Sequence, residues 1–542
     1  MTDVIARFPT TAAAPGPSAA RPKLDHEVNP LAGILFFGAV GVVVLFVAYS
    51  LYVDVQAAGV RVTTYLPFML LFVALLIALG FEFVNGFHDT ANAVATVIYT
   101  NSLPANVAVV WSGLFNLLGV LLSSGAVAFG IIALLPVELI LQVGSGAGFA
   151  MVFALLIAAI VWNLGTWYLG LPASSSHTLI GSIIGVGVAN ALMHGHGGTS
   201  GVDWSKATEI GYALVLSPAL GFGMAAILFL LLKFTIRNPE LYNAPKDGQP
   251  PPWWIRSILI LTCTGVSFAH GSNDGQKGMG LIMLILIGTV PTAYALNRAM
   301  PATQMQEFRV TSAAAAQVIE QQVFGLDVPG DPRSAVAQYV SQRTINKGTY
   351  PALAALVREI SDQVEEYGSL DKLPAEAVGN TRNDMYLASE AIRFLMKDKE
   401  NNLEPDGVAA LNAYKTSLDN STKFIPLWVK IAVAIALGLG TMIGWRRIVI
   451  TVGEKIGMSH LTYAQGASAE VVAMSTIAAA DGLGLPVSTT HVLSSGVAGT
   501  MAANGSGLQW ETIRNLLLAW ILTLPAAILL SASLFALFMR IF

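Results

Sequence analysis

Charge is scarce in this chain and unevenly spread. Asp, Glu, Lys and Arg make up 11% of the 542 residues, under half of the roughly 25% usual in soluble domains. None of them falls between Asp89 and Glu138, or between Glu138 and Asp203. Gaps of that length exclude an ordinary soluble fold and point to lipid as the solvent. Cysteine is reduced to Cys263, which excludes an internal disulfide and, in its apolar run, reads as a small buried hydrophobe. Basic runs interleaved with aromatics are missing and the net charge is −4, so nothing suggests nucleic acid as a partner and none is expected. No Gly-x-x-x-x-Gly-Lys-Ser/Thr occurs, so nothing reads as a P-loop ATP site.

What is present is apolar length. Leu31 to Leu51 is 21 uncharged residues and Ile210 to Leu232 another 23, each close to the roughly 20 that cross a bilayer as helix. Comparable blocks lie near 66–82, 106–134, 146–168, 174–193, 255–269, 278–296, 424–445, 460–480, 486–503 and 513–541. With some of these as half-spans, an all-α polytopic membrane protein of about ten to twelve membrane segments is expected. Residues 1–29 read as a disordered polar tail, too long and too weakly organised for a cleaved signal. An extra helix and loop over 30–65 follow it. Residues 297–423 differ in kind: 13 Lys/Arg and 17 Asp/Glu, 30 of the chain's 62 charges, fall in these 127 residues. Helical periodicity over 300–323 and 351–367 makes this a water-facing, mostly helical insertion.

Two motifs occur twice. Gly170-Leu-Pro-Ala-Ser174-Ser175-Ser176-His177 returns as Gly484-Leu-Pro-Val-Ser488-Thr489-Thr490-His491, and the run Asn85 to Asn92, with His88-Asp89, pairs with His270 to Lys277, with Asn273-Asp274. Asp89 to His177 is 88 residues and Asp274 to His491 is 217, an excess of 129 that the 127-residue insertion explains. The chain therefore divides into a first repeat at 66–232, a loop at 233–256, and a second repeat whose parts, 257–296 and 424–542, flank the insertion. Lys233, Arg237, Lys246 and Arg256 in one short loop, and Arg446, Arg447 and Lys455 in another, orient both loops to the cytoplasm. With one crossing between the 233–256 loop and the insertion, and one at 424–445 returning, the insertion falls outside.

An ionised carboxylate inside an apolar segment is costly unless paired, hydrated or liganded, so Asp89 and Asp274 are read as functional rather than as interfacial acids. Gly86, Gly271, Gly275 and Gly278 beside them allow unwound backbone lining a cavity. Each Ser/Thr run follows a Gly-Leu-Pro stop and opens an apolar helix. Free N–H groups, the helix dipole and hydroxyls make such an N-terminus an anion site without arginine. A single run would be ordinary capping; two in matching repeats are a stronger signal. His177 and His491 are either proton relays or turn-locking donors, and His88 and His270 are similar cases. Glu82 and Glu470 are candidate cation or proton ligands, against interfacial acids. Lys277, three residues after Asp274, is placed to pair with it or to meet an anion.

These motifs, with the stretch Gly440–Gly457, resemble the PiT family of inorganic phosphate transporters, most closely its bacterial low-affinity type. The resemblance runs from about residue 30 to the C-terminus and is weakest in the insertion. It implies that phosphate is held between the Asp-bearing segments and the Ser/Thr half-helices, by Asp89, Asn92, Ser174, Ser175, Ser176, Asn273, Asp274, Ser488, Thr489 and Thr490. His88 stands where the family usually has Asn. Asn116 stands where sodium-coupled members usually carry Glu, which favours protons, with Asp89, Asp274, Glu82, Glu470, His88, His177 and His491 as coupling groups. The expected function is phosphate import by proton symport, as a neutral metal–phosphate complex. No cofactor is expected, a divalent metal entering only as part of the cargo, and homo-oligomers stay open. Sodium coupling, sulfate transport, a passive anion channel and, remotely, an intramembrane hydrolase are the rival readings.

Overall fold

A computed structural model describes Pro22, Leu24 and residues 30–59, 65–135, 145–193, 201–245, 248–323, 327–398 and 403–542, without the side chains of residues 90–92, Ser341 and Ala375. All but two residues of the expected polar tail, and the side chain of Asn92, thus lie outside the described residues. Among these residues the secondary structure is helical, with one isolated bridge between Gly457 and Leu508.

The first half runs α1 (Pro30–Ala57), α2 (Leu66–Tyr99), α3 (Ala105–Leu122), a short α4 (Ala126–Ile132), α5 (Gly146–Tyr168), α6 (Ser175–Met193) and α7 (Trp204–Thr235). After α8 (Trp253–Thr289) come the amphipathic helices α9 (Ala302–Glu320), α10 (Pro332–Gln342), α11 (Thr349–Tyr367), α12 (Ala375–Lys397) and α13 (Pro405–Thr422). The chain ends with α14 (Leu427–Thr441), α15 (Tyr463–Gly482), α16 (Thr489–Asn504) and α17 (Trp510–Phe538). Seven helices, α1 to α3, α5 to α7 and α17, are long and apolar enough to cross a membrane, and α13 meets α14 at a 72° bend. The remaining helices α8, α14, α15 and α16 pack into the same bundle. The protein is multi-pass.

Local sequence sets the ends. Gly170 (φ 68°) and Gly484 (φ 66°) adopt the left-handed conformation that closes α5 and α15 ahead of Pro172 and Pro486, a turn that a β-carbon disfavours. Asp203 caps α7 by accepting from Lys206 N–H, and Thr462 and Gln465 form a reciprocal capping box on α15. In α1 only Val43, Val47, Leu51 and Val55 are buried, one stripe at four-residue spacing, so its other faces are left to lipid.

The two halves exchange partners. Helix α6 packs on α17 and α16 on α7, while α3 packs on α8 and α14 on α2. Each helix bearing a repeated motif thus leans on the opposite half.

The expected unwinding at the Asp motifs is not found: α2 runs unbroken through Asn85 to Asn92 and α8 through His270 to Lys277. The blocks at 255–269 and 278–296 are accordingly not separate spans; α8 joins most of both. The glycines serve close approach instead. A β-carbon on Gly271 would meet the backbone of Asn116, one on Gly86 the carbonyl of Leu437, one on Gly275 the side chain of Val120, and one on Gly278 the side chain of Glu82. Sequence alone does not separate a glycine that frees φ from one that lets two helix backbones touch.

Candidate functional site

Helices α2 and α8 are both longer than a bilayer requires, and each carries its Asp in its C-terminal half. Asp89 is 3% exposed and Asp274 fully buried. The N-terminus of α6 meets them: Ser175 Oγ donates to Asp89 Oδ2 at 2.7 Å and lies 3.3 Å from Asp274 Oδ2. From the opposite half, Thr490 Oγ1 at the start of α16 donates to Asp89 Oδ1 at 2.5 Å. Both hydroxyl-bearing helix ends therefore converge on one carboxylate.

Lys277 Nζ pairs with Asp274 Oδ2 at 2.6 Å, and His270 Nε2 lies 3.4 Å from the same oxygen. His88 Nδ1 sits 3.1 Å from Asp89 Oδ1, and its Nε2 lies 3.2 Å from Thr166 Oγ1. Ligand atoms of Asp89, His270 and Asp274 all fall within 4.8 Å of one another, a carboxylate and imidazole set that suits a divalent cation. His270 Nδ1 is 2.8 Å from Asn116 Oδ1 on α3. An amide oxygen there keeps the imidazole proton on Nδ1 and turns the Nε2 lone pair toward the two carboxylates.

Not every hydroxyl of the two runs reaches the pair. Ser174 and Ser488 are caps, accepting from the N–H of His177 and His491 at 3.1 Å each. Ser176 Oγ donates to the carbonyl of Val487 at 2.6 Å, which ties the first run to the second. Asn273 does the same from α8: its amide nitrogen donates to Leu485 O at 3.1 Å and its oxygen accepts from Val487 N–H at 3.4 Å. Thr489 is buried, and its Oγ1 has no hydrogen-bond partner among the described residues. His177 and His491 face each other with ring centroids 4.7 Å apart, and His491 stacks on Trp520 at 4.2 Å.

The two glutamates are buried on either side of the pair along α8. Glu82 lies against Gly278, one turn past Asp274, with Asn85 Nδ2 3.5 Å from its Oε2. Glu470 accepts from Thr262 Oγ1, twelve residues before Asp274, about 18 Å along the helix axis. Glu470 is thus apart from the aspartates. Thr166, Thr262 and Trp520 are partners that sequence reasoning missed. A threonine within an apolar helix normally satisfies its hydroxyl on its own backbone, so neither carried a signal. Trp162 and Trp167 donate to Thr523 Oγ1 at 3.0 Å and to Gly444 O at 2.7 Å, further ties between the halves.

Residues 85–531 match the Phosphate transporter family. Over 485 residues the chain is 44% identical to the low-affinity inorganic phosphate transporter PitA of Escherichia coli (strain K12), covering 86% of this chain and 96% of that protein. It is 40% identical over 486 residues to PitB of the same strain, again with 86% and 96% covered. A low-affinity inorganic phosphate transporter of Buchnera aphidicola subsp. Acyrthosiphon pisum is 40% identical over 490 residues, 86% of this chain and 96% of that protein. The chain belongs to the Phosphate transporter family. Its relatives are transport proteins and not enzymes, and so is it.

Proposed function

We propose that the protein imports inorganic phosphate by symport with protons, the phosphate entering with a divalent cation as a near-neutral complex. The observation that carries this reading is the convergence of Ser175 and Thr490, from two helix N-termini in opposite halves, on Asp89. Each hydroxyl has one hydrogen to give, so a phosphate oxygen and the Asp89 carboxylate compete for the same donors. A proton or a metal ion on Asp89 removes that competition and releases both hydroxyls, with the α6 and α16 N-termini behind them, to the anion.

The charge count supports cation coupling. Among the described residues Asp89, Asp274 and the nearby Glu82 face one ammonium, Lys277, and no arginine, and a divalent anion added to that set is strongly repelled. The carboxylate and imidazole set of Asp89, His270 and Asp274 suits the metal of the cargo. Asn116, a neutral amide where the resemblance puts the acid of sodium-coupled members, favours protons over sodium. Glu82, Glu470 and the histidine pair are the remaining buried titratable groups available for proton movement. The exchange of helix partners between halves supports alternating access by rocking of two inverted repeats. The short basic loops orient the insertion toward the periplasm of an inner membrane.

The test is uptake of labelled phosphate into proteoliposomes of the purified chain, at imposed pH gradients, with and without Mg²⁺ and with competing sulfate. Accumulation that follows the proton gradient and needs Mg²⁺ is expected. Accumulation driven by sodium alone, or downhill flux only, overturns the coupling.

A further inference from the structure

The insertion is tied to the transmembrane body through Asp203, the cap of α7. Its Oδ2 accepts from Arg343 Nη2 at 3.1 Å and lies 3.7 Å from Arg393 Nη2, and Arg393 also pairs with Glu390. Beside this latch α12 presents Arg382, Tyr386 and Glu390, one turn apart, to a narrow crevice. The opposite wall is apolar, formed by Phe129 and Ile132 of α4 and by Leu284 and Ile287 near the end of α8, and Lys423 stands at the rim.

Arg382 is 5% exposed, and its Nε has no hydrogen-bond partner among the described residues. Arg333, Arg343, Arg358 and Arg393 each have a carboxylate oxygen within 3.1 Å. Arg298 and Arg309 of the insertion also have no carboxylate partner among the described residues and donate to backbone carbonyls instead, but neither is buried; Arg382 is. Glu390, which lines the crevice, is engaged by Arg393, and Asp419, one turn before Lys423, is engaged by Lys415 at 2.6 Å and Lys423 at 2.8 Å. The Tyr386 ring, 5.2 Å from the Arg382 Cζ, supplies a favourable face but no counter-charge. Burying a guanidinium without an anion is strongly unfavourable, and its planar fork matches the oxygens of phosphate.

We infer that Arg382, with Lys423 at the rim, forms a second oxyanion site for a phosphate group, at the junction of the insertion and the transmembrane body. The crevice touches α8 at Ile287, thirteen residues beyond Asp274, about 20 Å along the axis. It is therefore separate from the aspartate pair and independent of how transport is coupled. The phosphate group belongs either to free inorganic phosphate or to the headgroup of an anionic lipid, because the chemistry that Arg382 recognises is common to both.

The test uses the full chain. Equilibrium dialysis of labelled inorganic phosphate against delipidated, detergent-purified protein is run on the wild type, Arg382→Gln, Arg382→Lys and Ser175→Ala. In parallel, native mass spectrometry counts phosphatidylglycerol retained from vesicles of phosphatidylglycerol and phosphatidylcholine. If the source is free phosphate, Arg382→Gln loses one bound phosphate per chain, while Ser175→Ala weakens only the other. If it is lipid, phosphate binding is unchanged and retained phosphatidylglycerol falls at least several-fold. Arg382→Lys keeps the charge without the fork and weakens whichever ligand binds several-fold, and it is the variant read if Arg382→Gln fails to fold. No change in either ligand overturns the site.

Discussion

Ser175 donates its hydroxyl hydrogen to Asp89 at 2.7 Å while standing 3.3 Å from Asp274. One side chain at a helix N-terminus therefore bridges two carboxylates that lie on different halves of the molecule. Any anion that uses the α6 terminus must take this hydrogen from Asp89, so the affinity of the site depends on what neutralises that carboxylate.

Ser175→Ala and Thr490→Ala should raise the KM for phosphate several-fold to over tenfold. A hydrogen bond to a charged partner is worth about 1.5 to 3 kcal/mol, and the same hydroxyl already serves Asp89, so part of that is recovered when it is lost. Ser174→Ala and Ser488→Ala remove caps and should act on stability, about 1 kcal/mol each, more than on KM. Uptake kinetics and melting curves on the four variants separate the two groups. Equal effects on KM would remove the distinction between cap and ligand.

Gly271→Ala should abolish folding or strongly reduce the yield of folded protein, since its β-carbon would fall 2.7 Å from the backbone carbonyl carbon of Asn116 and backbone cannot move aside cheaply. Gly38→Ala in α1, with nothing within 4 Å, is the control and should be neutral or slightly stabilising. Size-exclusion profiles of the two purified variants provide the comparison.

Much of this was legible in the sequence because it was written twice. The doubled hydroxyl runs marked two helix starts, and the spacing between repeats marked the insertion. The division of labour within a run was not legible. Successive residues on a helix point about 100° apart, so Ser174 caps, Ser175 faces Asp89 and Ser176 crosses to Val487, a sorting that needs the neighbouring helices. The continuity of α2 and α8 was hidden because glycine at a helix crossing and glycine in an unwound turn read alike. Glu470 and Asp274 looked alike as acids in apolar runs, yet Glu470 lies with Thr262, far down α8.

The insertion carries its own pH dependence. Burial holds the Asp384 carboxyl above its usual range, with Arg333, bonded at 2.5 and 2.6 Å, drawing it back. A raised folded value means that the folded state holds the proton more tightly, so this group's contribution is present below about pH 4 and is lost as pH rises through the folded value. Arg333→Gln leaves the carboxylate uncompensated. It should cost about 2 kcal/mol at pH 8, at the low end for a broken pair because the Arg333 side chain is 42% exposed. The deficit should shrink as pH falls. Melting curves at pH 8, 6 and 5 check the sign; a deficit that grows toward acid would contradict it.

Single cysteines at Ser369 and Asp406 in a Cys263→Ala background test the orientation drawn from the short basic loops. Both positions lie on the insertion and neither is buried. Labelling by a membrane-impermeant maleimide from the periplasmic face is expected in intact spheroplasts. Labelling that appears only after lysis would invert the topology.

Coupling follows from the same two aspartates. Their ligand atoms and one of His270 all lie within 4.8 Å of one another, and Lys277 is the one ammonium in contact among the described residues. Two ionised carboxylates at that distance repel by about 3 kcal/mol at an effective dielectric constant of about 20, and a phosphate dianion adds further terms of the same sign. One positive charge cannot offset them all, so a proton, a metal ion or both must enter with the substrate. Asp89→Asn keeps the shape of the side chain and removes the charge to be neutralised. It should therefore lose proton-driven accumulation more completely than downhill exchange, and Asp274→Asn should behave similarly, with the further loss of the Lys277 partner. Accumulation against a phosphate gradient and counterflow at equal pH, measured on the same proteoliposomes, separate the two activities. A variant that still concentrates phosphate to wild-type levels with unchanged pH dependence has lost a carboxylate that plays no part in coupling.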